Sequence, residues 1–162
     1  MTNNDKAILF IIALICITYI FSIPHFTEKE MENVKKSQIK MTELLREFNR
    51  ICRKYKLKYW VSGGTLIGTV RHKGWIPWDG DLDISMLKKD FIKFKKVVQK
   101  ELPKNMWFQD KTIDKNYTSD IAKLRDLNSS YLDYRNNNTH NGLQLDIFIG
   151  EFKNNCLNFK YN

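Results

Sequence analysis

Cysteine is scarce. The chain has three, Cys16, Cys52 and Cys156, with no Cys-x-x-Cys pair and no Cys/His spacing. That excludes a disulfide framework and a thiolate zinc site as the basis of the fold. Proline is equally rare, and Pro24, Pro77 and Pro103 each stand where an element should stop. Acidic residues are in deficit, 18 Asp and Glu against 27 Lys and Arg, for a net charge of +9. A basic balance suits an anionic partner: nucleic acid, phosphate groups or an acidic membrane surface. Internal repeats are absent, which removes solenoids and propellers. What is present is 43% hydrophobic and 13% aromatic residues, enough for one packed core and too many for a disordered tail.

Charge is missing altogether between Ala7 and Ile23, AILFIIALICITYIFSI. As a helix this run spans about 26 Å, at the short end for crossing a bilayer. A cleaved signal peptide is the rival reading, but it wants small residues before the cut, and only Ser22 is available. The expectation is an uncleaved signal anchor over residues 1–25. A stalk or helix start follows over 26–43, then a folded domain over 44–162. Val34, Met41, Leu44, Leu45, Phe48, Ile51, Cys52 and Tyr55 recur at three- and four-residue steps, which predicts a helix over Glu30 to Lys56. Leu57 to Val61 reads as a strand. Gly63-Gly64 breaks it, and Thr65 can cap a short helix. DLDISM, from Asp81 to Met86, alternates as a strand. Asp90 fits the N-cap of a helix carrying Phe91, Phe94, Val97, Val98 and Leu102. Further strands are expected at Met106–Gln109, Ile121–Leu124 and Leu143–Ile149, with a polar loop from Asn136 to Gly142. A helix followed by strands with helices between them indicates an α/β or α+β fold.

The chemistry centres on IPWDGDLDISM, with aspartates at 79, 81 and 83. On a strand Asp81 and Asp83 point the same way, about 7 Å apart. Such carboxylates raise each other's pKa unless a cation lies between them, and oxygen-only ligands suit Mg²⁺ or Mn²⁺. An EF-hand is excluded, because the loop's sixth position needs Gly and Ile84 stands there. Gly63, Gly64 and Thr65 lie between a predicted strand and helix, where backbone N–H groups can approach a phosphate. Arg71 and His72 follow as a cationic loop that could clamp a diphosphate. Asp146 stands in the apolar stretch GLQLDIFIG, where a charge without a partner is costly. Lys123 and Arg125 of AKLRD are candidate phosphate or carboxylate partners.

Together, GGTLIGTVRHKGWIPWDGDLDISM resembles the signature of the LicD family, which includes fukutin and fukutin-related protein. The match runs through Gly64, Thr65, Leu66, Gly68, Arg71, His72, Gly74, Ile76, Pro77, Trp78, Asp79, Asp81 and Asp83, and KLRD and LDIF follow the same pattern. The resemblance implies a nucleotidyltransferase-type mixed sheet flanked by helices, here behind a transmembrane helix. It implies transfer of a phospho-alcohol group, phosphocholine or ribitol phosphate, from a CDP-activated donor to a glycan. By resemblance Asp81, Asp83 and Asp146 are the catalytic, metal-site carboxylates. Asp79, Gly63, Gly64, Thr65, Arg71, His72 and Arg125 serve substrate. A type II membrane protein of the Golgi or secretory pathway is implied as well, with no nucleic-acid partner. The chain departs from the family pattern at Gly80, where many members carry Asp, and at Ile149, where many carry Pro and considerable further sequence. The expectation from the resemblance is a domain shortened at its C-terminus. A DxD glycosyltransferase using a nucleotide sugar and an inactive Golgi scaffold are the alternatives. Asn116, Asn128 and Asn137 lie in Asn-x-Ser/Thr sequons.

Overall fold

Thr27 and Glu30 open the first helix with a reciprocal cap. The Thr27 amide donates to Glu30 Oε2 at 2.8 Å, and the Glu30 amide donates to Thr27 Oγ1 at 3.2 Å. Helix α1 then runs unbroken over Glu28–Lys54, with Arg53 and Lys54 placed favourably in its last turn. In this computed structural model the described residues are 26–130, 140–153 and 156–159, together with Ile8, Ile11, Ile12 and Leu14. The chain divides into two compact units, Met1–Met31 and Glu32–Asn162. The expected anchor, Ala7 to Ile23, lies outside the described residues except for those four, which are helical and exposed. Among the described residues no helix is long and apolar enough to cross a membrane.

The second unit is built on one mixed sheet. Its strands are β1 (Tyr59–Val61), β2 (Asp83–Leu87), β3 (Met106–Gln109), β4 (Ala122–Asp126), β5 (Gln144–Lys153) and β6 (Cys156–Phe159). The order is β1-β2-β5-β4-β3, with β6 also paired to β5. β2 and β5 run parallel, and every other pair is antiparallel. Helix α2 (Gly63–His72) joins β1 to β2, and α3 (Lys88–Glu101) follows β2.

Strand alternation divides the sheet into two faces. Ile84 stands opposite Ile147, and Leu124 opposite Leu145. All four are fully buried, in one core with Met41, Leu44, Phe48 and Ile51 of α1 and Phe91, Phe94 and Val98 of α3. Phe48 is the hinge of that packing, 4.9 Å from both the Tyr59 and Phe94 rings. Arg50, Lys54 and Tyr55 meet Glu101 of α3 and tie the two helix ends together. The opposite face carries Asp83, Asp146 and Lys123.

The structure corrects several boundaries. β2 starts at Asp83, so Asp81 precedes the strand. α3 starts at Lys88 with Leu87 as N-cap, and Asp90 lies inside the first turn, buried, its Oδ2 without a hydrogen-bond partner. Packing of Phe91 against the core starts the helix earlier than a polar cap would. Ser62, not Thr65, is the N-cap of α2. Thr65 instead accepts a bond from a distant strand. The sequence did not indicate β6, whose Cys156-Leu157-Asn158-Phe159 is short and mostly exposed. Cys52 and Cys156 are both free thiols.

Candidate active site

Asp83 and Asp146 stand directly opposite each other on the parallel pair β2 and β5. Parallel register puts their side chains on the same face of the sheet as neighbours. The Asp146 amide donates to the Leu82 carbonyl at 2.8 Å and so carries the ladder one step beyond β2. Lys123 of β4 faces Asp146 from the other side, and its Nζ donates to Asp146 Oδ1 at 2.7 Å in a half-buried pair. Three neighbouring strands thus supply carboxylate, carboxylate and ammonium in a row.

The start of α2 closes the site from above. Gly63 has a φ of +53°, in the left-handed region, and a Cβ there would collide with Asp83 Oδ2. A Cβ on Gly64 would lie 2.7 Å from Asp79 Oδ2. The two glycines therefore exist to let two carboxylates reach the helix N-terminus, whose partial positive charge favours them. Thr65 Oγ1 accepts the Asp83 amide at 2.8 Å. The Ser62 amide donates to the Asp83 carbonyl at 3.1 Å, while Ser62 Oγ is buried without a partner. Asp79 Oδ1 accepts the Asp81 amide at 3.3 Å, and Asp81 is exposed.

Negative charge accumulates here. Burial raises the Asp83 carboxyl from 3.8 to about 6. The charges of Asp146, Asp81 and Asp79 push it the same way, and Lys123 opposes them. Both causes favour the protonated acid, and a cation between Asp83 and Asp146 would oppose them.

Not every expected residue joins this cluster. Arg71 and His72 sit in the last turn of α2, about 12 Å along the axis from Gly63. Arg71 Nε donates to His72 Nε2 at 2.9 Å. Arg125 is 1% exposed, with Nε on Gln109 Oε1 and Nη1 on the Gly142 carbonyl, each at 2.9 Å, and Gln144 Oε1 as a further acceptor. It pins β3, β4 and the start of β5 to one another. A Cβ on Gly80 would meet nothing within 4 Å.

Gln38, not singled out by the sequence, also shapes the site. Its side-chain amide donates to the carbonyls of Ile76, Pro77 and Asp79 at 3.0, 3.4 and 2.9 Å, clamping the loop that carries Asp79. The signal was available: Gln38 falls between Val34 and Met41 at helical spacing, a polar residue on the apolar stripe. Trp75 anchors the same loop by donating from Nε1 to Thr42 Oγ1 at 3.0 Å.

Among the described residues no group of three His, Cys, Asp or Glu side chains converges to hold a metal. Asp146 engages Lys123, and Asp81 lies on the exposed approach to β2, so the three expected carboxylates are not preassembled. The Asp83–Asp146 pair nevertheless suits an ion that takes one or two carboxylates and completes its shell with water and phosphate, as Mg²⁺ does.

The family described as LicD/FKTN/FKRP, nucleotidyltransferase domain, matches residues 56–160. The lipopolysaccharide cholinephosphotransferase LicD of Haemophilus influenzae is 32% identical over 126 residues, 72% of this chain and 43% of that protein. An uncharacterized protein of Rickettsia typhi is 38% identical over 64 residues, 40% of this chain and 21% of that one. The human ribitol 5-phosphate transferase FKRP is 44% identical over 34 residues, 21% of this chain and 7% of that protein. The chain spans less than half the length of these relatives.

Proposed function

We propose, from the premise that this chain belongs to the LicD/FKTN/FKRP family, that it carries the site of a metal-dependent phosphotransferase. The group moved is a phospho-alcohol of the phosphocholine or ribitol phosphate type. The donor is CDP-activated, and the acceptor is a glycan hydroxyl. The observation that carries this reading is the pair Asp83 and Asp146, in register on adjacent parallel strands. Asp83 is raised to about 6 by burial and by the acidic neighbours around it.

Asp83 and Asp146 would hold Mg²⁺ or Mn²⁺. When bound, the ion would neutralise charge developing on the CMP leaving group as the donor's diphosphate linkage is cleaved. Lys123 holds Asp146 by one oxygen, which orients the carboxylate and leaves the other oxygen for a ligand. Thr65 fixes the backbone of Asp83, and Gln38 fixes the loop of Asp79. Ser62 offers a hydroxyl beside Asp83 that no protein group uses. Arg71 and His72, exposed at the far end of α2, are available to a substrate group extending away from the carboxylates.

The test is CMP release from CDP-choline and CDP-ribitol with an acceptor glycan present. Turnover that requires a divalent ion and falls roughly 100-fold or more in Asp83→Ala and Asp146→Ala supports the reading. Unchanged activity in those variants overturns it. Turnover of UDP-sugars in place of CDP compounds assigns the site to a glycosyltransferase.

Ala7–Ile23 completes the proposal as a signal anchor that holds the domain in a secretory lumen. Asn116 and Asn128 are exposed in their sequons. A glycosidase-sensitive mobility shift of the expressed chain, lost in Asn116→Gln/Asn128→Gln/Asn137→Gln, is the expected result.

A further inference from the structure

We propose that the groove between α1 and the loop over residues 73–79 binds the acceptor, and that this acceptor is an acidic oligosaccharide. On α1, Lys35, Ile39, Thr42 and Arg46 follow one another at steps of four, three and four, so they form one stripe about 16 Å long. Trp75 of the loop meets the middle of this stripe, donating from Nε1 to Thr42 Oγ1 at 3.0 Å. Thr42 in turn donates to the Gln38 carbonyl at 2.7 Å. The stripe, Gln38 and Trp75 line a cavity of about 280 Å³. Thr42 and Trp75 also line a second cavity of about 250 Å³, which reaches Thr65 and Asp79. Thr65 is the residue that holds the Asp83 amide. Sharing two wall residues, the cavities make one path from the surface of α1 to the edge of the carboxylate site. Together they fall within the usual size of a small-ligand site, roughly 300–1,000 Å³.

The two ends of the path differ in charge. The acids of α1 near the groove are spent elsewhere: Glu32 pairs with Lys36, Glu43 with Lys40 and Glu47 with Arg50. Lys35 and Arg46 are exposed and, among the described residues, in no ion pair. The outer cavity is thus lined by two cations and no acid. The inner cavity is lined by Asp79 and no cation. Between them Ile39, 58% exposed, and the half-buried Trp75 form an apolar wall. The indole N–H of Trp75 is already used, so what its ring offers a ligand is apolar surface. A pyranose has an apolar C–H face and a rim of hydroxyls, and an aromatic wall with polar groups at its margins suits it. Lys35 and Arg46 select an acidic substituent, phosphate or carboxylate, and Asp79 repels one. The saccharide therefore lies with its acidic group over α1 and a hydroxyl end toward Asp83. The acceptor role rests on the transferase reading above, whereas binding is measurable without turnover.

The experiment titrates the full chain, without donor or divalent ion, with maltotriose, maltotriose 6-phosphate and trigalacturonate in a calorimeter. The expected result is that one or both acidic sugars bind roughly tenfold or more tighter than maltotriose, with the advantage shrinking at high salt. The tighter of the two identifies phosphate or carboxylate as the group recognised. Lys35→Gln/Arg46→Gln should erase that advantage. Lys36→Gln/Lys93→Gln removes the same charge from exposed positions outside the groove and should bind as the wild type does. Thermal melting checks that both double variants fold. Equal affinity for acidic and neutral sugars overturns the proposal, as does no binding of either acidic sugar. Acidic-sugar binding unchanged in Lys35→Gln/Arg46→Gln overturns it too. An equal loss in the two double variants also overturns it, and assigns binding to the overall charge of +9. The expected binding pattern in a chain that fails the CMP-release test supports the groove and removes only the transferase reading. CMP release by a chain whose groove is indifferent to these substitutions removes only the groove.

Discussion

At the residue scale, Asp83 is a carboxyl whose burial and acidic neighbours disfavour its charge. Its carboxyl titrates above its unfolded value, so the unfolded chain loses that proton first as pH rises. Stability is therefore full near pH 4 and declines as pH climbs to about 6 in the absence of metal. Asp83→Asn removes that penalty. Urea denaturation should show the variant more stable than wild type at pH 8, on the order of 1 kcal/mol, and level with it at pH 4. A divalent ion should stabilise the wild type and not the variant. Gly63 is the complementary case. Gly63→Ala must place a Cβ at a positive φ and against Asp83 Oδ2. The expected cost is roughly 1–3 kcal/mol, visible as a lower melting temperature, with loss of the metal response. Gly80→Ala, where a Cβ would meet nothing within 4 Å, should stay within about 0.5 kcal/mol. The same scale separates Arg125 from the site. Residue type suggested a substrate contact, but the guanidinium is spent on Gln109, Gly142 and Gln144.

At the element scale, two helices and a sheet face make the core, and one acid stitches the helices at their ends. Glu101 is held down to about 2, first by the bond from Lys54, then by Tyr55, with Arg50 contributing. Its folded pKa lies below the unfolded one, so its contribution is present above about 4.5 and is lost as pH falls toward 2. Glu101→Gln should lower the melting temperature at pH 7, and the gap to wild type should close in a melt at pH 2. Periodicity foretold α1, α3 and most strands, because burial of one face imposes a local repeat. It placed the ends less well. Asp90 looked like a cap and is a buried first-turn residue, since core packing of Phe91 outweighs local capping. β6 has no apolar alternation of its own and exists by pairing to the far end of β5.

At the scale of the whole molecule, the site is an excess of negative charge inside a chain of net charge +9. That polarity predicts ligand linkage. Mg²⁺ or Mn²⁺ should raise the melting temperature at pH 7.5, by an amount growing with the logarithm of concentration above the dissociation constant. The effect should fade below pH 6, where Asp83 takes up its proton. A shift of the same size at pH 5 would show that Asp83 is not a ligand. The fold's contribution is to bring β5 parallel beside β2, which sets Asp146 against Asp83 and draws Lys123 in from β4.

The amino-acid order alone determined the amphipathic helices, the alternation around Asp83, the Gly-Gly break and the family signature, because each is written in residues a few positions apart. It could single out Asp146 only as a charge in an apolar strand. Tertiary structure decided that Asp83 pairs with Asp146, that Lys123 shares the latter, and that Gly63 and Gly64 admit carboxylates to the helix start. It also decided that Gln38 clamps the Asp79 loop and that Arg125 is buried. The physical reason is that strand neighbours, register and desolvation arise between segments far apart in the chain. A local pattern says which face a residue takes and not what will stand across from it.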